Sequence, residues 1–115
     1  MDSSSTSFCS LTTTGRITGR PHRIEIWFGQ HGDTVYLLSG GRDRSDWVRN
    51  LMVSPDVVLE IGGERRPSTA RVVDEGTEED TLARRLLVEK YQPGSGSDLS
   101  SWGRTALVVA IRWPS

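Results

Sequence analysis

Cysteine is nearly missing from this sequence of 115 residues, and its scarcity closes several routes at once. With Cys9 alone, no internal disulfide and no cysteine-rich metal site can form. Its β-prone neighbours make it a packed, inert thiol. Histidine is nearly as scarce, with two residues. His22 and His31 lack any metal-ligand spacing such as His-x-x-x-His, so no metal is expected. Long apolar runs are absent too: the longest, residues 106–111, falls far short of the roughly 20 that a membrane helix needs. The N-terminus has no basic stretch leading into an apolar one, so the expectation is no signal peptide and a cytoplasmic address. A net charge of −1 offers no general attraction for nucleic acid.

What remains is the material of one soluble domain, since a chain this short holds a single core. The Ser/Thr-rich residues 1–7 are expected to form a disordered tail and residues 8–115 the domain itself. Residues 8–14 read as a strand that breaks at Gly15. Arg23-Ile24-Glu25-Ile26-Trp27-Phe28 alternates as a half-buried strand does, and a turn at Gln30-His31-Gly32-Asp33 leads to residues 34–38, which predicts one hairpin. Asp43 or Ser45 starts a short helix with Trp47/Leu51 and Val48/Met52 at i,i+4, ended by Ser54-Pro55. Residues 57–61 and 65–73 are strands about Gly62-Gly63, with Pro67 marking a free edge. Thr77-Glu78-Glu79-Asp80 opens a second helix along Leu82/Leu86 and Ala83/Leu87/Tyr91. A Gly/Ser loop at 93–101 and a buried strand at 105–113 complete the chain. Helices and strands do not alternate, which excludes a doubly wound sheet. The expected fold is mainly β (α+β): a six-stranded antiparallel barrel with two peripheral helices.

Two clusters carry candidate chemistry. The first runs from Thr12 to Thr14 through Gly15, Arg16, Ile17, Thr18, Gly19, Arg20, Pro21 and His22. Glycines admit an anion to the backbone, hydroxyls donate to it, and guanidinium matches phosphate oxygens. The plain alternative is a hairpin turn with solvated arginines. The second cluster is Ser39-Gly40-Gly41 followed by Arg42, Arg44, Trp47 and Asn50. Small residues at a strand end leave room for a planar ring, with an indole and a carboxamide nearby. Its plain alternative is a core tryptophan and a capping asparagine. Trp102, set in the Gly/Ser loop, is a candidate lid. A Ser-His-Asp triad cannot be picked out without a fold.

These residues form a recognisable pattern. Leu11-Thr12-Thr13-Thr14-Gly15-Arg16-x-Thr18-Gly19-x-Pro21, a Trp27-Phe28 strand end, Leu38-Ser39-Gly40-Gly41 and Trp47-x-x-Asn50-Leu51 before Ser54-Pro55 resemble the deazaflavin-dependent nitroreductase family. That family belongs to the split β-barrel superfamily of pyridoxamine-phosphate-oxidase-like flavoproteins, and the match runs in order from about residue 11 to 73. The resemblance implies an FMN-binding-type split barrel, a homodimer, and coenzyme F420 as cofactor, with FMN in some relatives. It implies hydride transfer to quinones, nitro-compounds or activated alkenes. Thr13, Arg16, Thr18, Gly19 and His22, with Ile17 and Pro21 in the same motif, would hold the cofactor's phosphate and acidic tail. Leu38, Ser39, Gly40 and Gly41 would line the ring, with Trp47 and Asn50 across it and Ser39 assisting protonation. Ile17 and His22 replace basic residues of many relatives, and Arg20, Arg23, Arg42 or Arg44 offer substitute charges. Gly94-Ser95-Gly96-Ser97-Asp98 replaces a tyrosine-rich segment that relatives place beside the substrate. Two other readings stand beside this one: an FMN-dependent oxidoreductase, and a non-enzymatic flavin, haem or lipid carrier.

Overall fold

The alternating runs of the sequence become seven antiparallel strands in the computed structural model, which describes residues 8–114. The tail expected at 1–7 lies outside the described residues. The strands are β1 (Cys9–Thr14), β2 (Pro21–Ile26), β3 (Gly29–His31), β4 (Thr34–Ser39), β5 (Asp56–Ile61), β6 (Glu64–Val72) and β7 (Leu107–Arg112). Their order across the sheet is β2-β1-β5-β6-β7-β4-β3. The two edge strands are therefore consecutive in the chain. Residues 27–28 carry the backbone from one edge to the other, and the sheet curls into a half-open barrel.

That crossover corrects the expected hairpin of 23–28 with 34–38. β2 pairs with β1 instead, placing His22 opposite Thr13. The strand facing β4 is the short β3, with Gly29 opposite Tyr36 and a turn at Gly32, whose φ is 58°. The break falls at Phe28 because side chains take over its backbone groups. Phe28 N–H donates to Tyr91 Oη at 3.0 Å, and Phe28 C=O accepts from Lys90 Nζ at 2.9 Å and Tyr91 Oη at 3.1 Å. A buried peptide that leaves the ladder needs such partners. The short β3 forms from Gly29 and the first two residues of the expected turn, which raises the count from six to seven.

At Pro67 the reading of a free edge holds. β6 pairs with β5 over residues 64–69 and gains β7 as its second neighbour only at Ala70.

The helices are α1 (Asp46–Val53), α2 (Glu78–Ser95) and α3 (Ser100–Thr105). Thr77 caps α2 as its sequence signature requires, its Oγ1 accepting from Asp80 N–H at 3.1 Å. The expected loop at 93–101 holds only for residues 96–99, since α2 continues through Pro93 to Ser95 and α3 begins at Ser100. Gln92 explains the turn between them. Its amide donates to Ser97 C=O and accepts from Leu99 N–H, both at 2.7 Å. Gly103 then allows α3 to press on α2, because a Cβ there would meet Val88 Cγ2 at 2.5 Å.

Two apolar clusters share β4 and β7. Val35, Leu37, Val109 and Ile111 face the barrel interior with Leu11, Phe28, Leu59 and, from α1, Val48 and Leu51. Tyr36, Leu38, Val108 and Ala110 face outward against Ala83 and Leu87 of α2. Burial on both faces is why these strands read as unbroken apolar runs.

Cys9 is 2% exposed, with Sγ 3.5 Å from Ile26 C=O, and burial pushes its thiol up to about 12. A thiol reagent at about pH 8 is expected to label Cys9 only as fast as the protein unfolds; prompt labelling of native protein would contradict this. Tyr91→Phe removes both bonds to Phe28, and a loss of about 1–3 kcal/mol in urea unfolding is expected, with the m-value unchanged.

Candidate functional site

The Gly15–His22 turn is fixed from beneath by one buried carboxamide. Asn50, on α1 and 2% exposed, donates from Nδ2 to Thr13 Oγ1 at 3.1 Å. Its Oδ1 accepts from Arg16 N–H at 3.2 Å and from Arg16 Nη1 at 2.9 Å. Arg16 Nη2 continues to Asp46 Oδ1 at 3.1 Å. Within the turn, Gly15 N–H bonds Arg20 C=O and Thr18 Oγ1 accepts from Arg20 N–H. The His22 ring lies so close over Gly15 that a Cβ there would sit 2.7 Å from Nε2.

Around this network lies a hollow of about 240 Å³, lined by Gly15, Arg16, Ile17, Thr18, His22, Asp46 and Asn50. The guanidinium uses one donor on each terminal nitrogen, so donors remain for an incoming anion. With a hydroxyl and an imidazole on the same wall, the donor set suits a phosphate or carboxylate.

A second cleft of about 460 Å³ opens at the other end of β2, lined by Phe8, Glu25, Ile26, Trp27, Leu38, Leu99 and Trp102. Trp27 stacks on Tyr91 with centroids 4.3 Å apart and planes within 5°. Trp102 meets Trp27 edge-on at 5.7 Å and 89°. The Trp102 indole also lies over Gly40, 3.5 Å from where a Cβ would stand. Flat aromatic walls of this kind receive a planar conjugated molecule. His22 and Ile26 mark the two ends, about 13 Å apart along the strand.

Between the clefts, Ser39 Oγ donates to Arg42 C=O at 2.9 Å and shares a 2.8 Å hydrogen bond with Ser45 Oγ. Gly41 permits this, since a Cβ would approach Ser45 Oγ to 2.7 Å. Arg42 sits at φ 54°, and its guanidinium bonds Glu75 and Thr105 C=O.

The residues singled out in the sequence thus divide. Arg16, Ile17, Thr18, His22 and Asn50 meet at the hollow, with Thr13 directly beneath it. Gly19, at φ 76°, lies on the exposed turn outside that wall, and Pro21 opens β2 opposite Thr14. Leu38 and Gly40 belong to the aromatic cleft, and Ser39 and Gly41 to the loop between. Trp47 packs on the barrel core, and Asn50 serves the turn. Of the proposed substitute charges, Arg42 is bound internally and Arg23 donates to Ser10 Oγ, while Arg20 and Arg44 are exposed. Trp27, Leu99 and Asp46 went unnoticed as site residues. A tryptophan at a strand break and the Leu99/Trp102 spacing of i,i+3 were the available signals.

A family model for F420H(2)-dependent quinone reductase matches residues 4–111, which includes both clefts. The chain belongs to that family. An F420H(2)-dependent quinone reductase of Mycobacterium tuberculosis (strain ATCC 25618 / H37Rv) is 35% identical over 66 residues, which are 55% of this chain and 44% of that protein. The match therefore takes in less than half of the relative's length. A solved F420-H2 dependent reductase has a TM-score of 0.72 at 23% identity, covering 92% of this chain and 94% of its own. A solved domain-swapped dimer has a TM-score of 0.73 at 22% identity, covering 92% and 80%. At these identities the two structures establish the shared split-barrel fold.

Asn50→Ala would strand the Thr13 hydroxyl and the Arg16 N–H together. A stability loss of about 2–4 kcal/mol is expected in urea unfolding; a loss below about 0.5 kcal/mol would mean that the turn holds itself.

Proposed function

We propose that the protein is a reductase that binds reduced coenzyme F420 and passes a hydride to a quinone or a similarly activated acceptor. The family match across both clefts carries this reading. The donor set of the hollow supports it, because Arg16, Thr18 and His22 suit the cofactor's phosphate and acidic tail. About 13 Å of β2 then leads to the aromatic cleft, a distance that a ribityl chain and half a tricyclic ring can cover. The bound deazaflavin would supply the hydride.

The chain's own residues bind, orient and exclude water. Trp27 and Trp102 form an aromatic corner, their planes at 89°, against which a planar group would lie, Leu38 gives it an apolar floor, and Gly40 keeps the floor shallow. Ser39 receives a positioning role, because its proton is turned toward Arg42 C=O and its hydroxyl fixes the loop. No helix among the described residues is long and apolar enough to cross a membrane. A cytoplasmic address belongs with the proposal. So does a homodimer, because neither cleft encloses a tricyclic ring with its tail and a second subunit would deepen them.

Titration with F420 and with FMN side by side tests the reading. Quenching of deazaflavin fluorescence with micromolar or tighter affinity is expected, weakened by about 1.5–3 kcal/mol in Arg16→Ala. A yellow protein that carries FMN and ignores F420 would replace it with the FMN alternative.

A further inference from the structure

Helix α3 is six residues long, too short to hold its shape alone, yet it carries Trp102, one wall of the aromatic cleft. It packs on α2 at Gly103, where a Cβ would run into Val88. Contact at a glycine sets the distance between two helices. A directional bond is what fixes the rotation of the shorter one about its own axis.

Two guanidinium groups meet the carbonyl end of α3, where the helix dipole favours a cation. Arg84 Nη1 donates to Gly103 C=O at 3.0 Å, and Arg42 Nη1 donates to Thr105 C=O. The two are not equivalent. The Arg42 side chain is 43% exposed and that of its partner Glu75 59%, so water and salt screen their bridge. The Arg84 side chain is 14% exposed and that of Asp80 8%. Arg84 Nε lies 3.0 Å from Asp80 Oδ1 and 3.1 Å from Oδ2, and Nη2 lies 3.0 Å from Oδ1. Asp80 is anchored in turn, its Oδ2 accepting from Gly76 N–H at 3.2 Å and its own N–H donating to Thr77 Oγ1. An i,i+4 ion pair within α2 uses only Nε and Nη2. The bond from Nη1 to a carbonyl of another helix is an addition that the pair does not require.

We infer that Arg84 is a positioning residue: through Gly103 C=O it sets the rotation of α3, and so the place of Trp102 against Trp27 and over Gly40. Trp102 directly precedes Gly103, so a turn of α3 about its axis sweeps the indole across the cleft. A planar fork with all three nitrogens tied transmits the fixed position of Asp80 to that carbonyl. The consequence for ligand binding rests on the reading above, that the aromatic cleft receives the planar ring of the cofactor.

The test is fluorine NMR of protein labelled with 5-fluorotryptophan, its four tryptophans assigned by Trp→Phe substitution, beside a fluorescence titration with F420. In Arg84→Met the Trp102 resonance is expected to move, while those of Trp47 and Trp113, on the barrel core, stay in place. F420 affinity should fall about three- to tenfold. Removing the cation alone leaves the Asp80 carboxylate buried and unpaired, which destabilises the fold. The double variant Asp80→Asn with Arg84→Met removes both charges and keeps an acceptor for Gly76 N–H, so it carries the test if the single variant does not fold. It should show the same displacement and the same loss of affinity. Val57→Ala, a cavity in the barrel interior, should lower stability and leave the Trp102 resonance unmoved. A Trp102 resonance that stays put without Arg84 would overturn the inference. So would one that moves equally in Val57→Ala, because the displacement would then report general loosening. A displaced Trp102 with unchanged F420 affinity would overturn its bearing on binding. Failure of the cofactor reading looks different: wild type would bind no F420, while the Trp102 resonance would still decide for or against Arg84.

Discussion

The peptide of Phe28 is the constraint on which the rest of the structure depends. It carries the chain from one edge of the sheet to the other, where no ladder can satisfy it. Tyr91 and Lys90 of α2 supply the missing partners, and Lys90 Nζ also lies 3.6 Å from the centroid of the Phe28 ring. Burial lowers the Lys90 ammonium and raises the Tyr91 phenol to about 12, so the phenol keeps its proton and its donor role at neutral pH. Fixing that peptide fixes both edges of the curl. It also places Trp27 against Tyr91, so the element that closes the barrel builds one wall of the aromatic cleft.

A second junction does for the turn what this one does for the barrel. Asn50 joins β1, the Gly15–His22 connection and α1 through one amide, with both of its polar atoms used. A buried polar group satisfied on every side rigidifies what it touches. The donors of Arg16 and of the turn are therefore held in position by the fold itself. Preorganisation of this kind lowers the ordering cost of binding.

Much of this was legible in the sequence, for identifiable reasons. Thr77 and the acids after it mark the start of α2 because capping is a local interaction, and the spacing of Ala83, Leu87 and Tyr91 shows its buried face. Pro67 reports a free edge because it lacks an N–H. The pairing of β2 was not legible. Nothing local distinguishes a strand that continues through Trp27 and Phe28 from one that crosses over there, since the partners of Phe28 lie more than sixty residues away. Helix α3 hid for a related reason. Its neighbours Gly94, Ser95, Gly96 and Ser97 read as loop, and what orders it is the Gln92 amide and the contact of Gly103 with Val88. The Asn50 role was half visible: its place in a Trp-x-x-Asn pattern singled it out, but only the fold brings Thr13 and Arg16 to it.

The location of variable charge follows from these junctions. Ile17 is 86% exposed and bears on no core cluster, and Asp46 is almost as open. Neither holds the barrel together, whereas Thr13, Asn50 and Phe28 do. Charge at this rim is thus free to change without disturbing the fold, because the scaffold of the turn is carried by neutral groups. A split barrel built this way separates two problems that most small domains must solve with the same residues. Hydrogen bonds to amide and hydroxyl hold the shape of the turn. Exposed side chains at the rim, Ile17 and Asp46 here, set the charge presented to solvent.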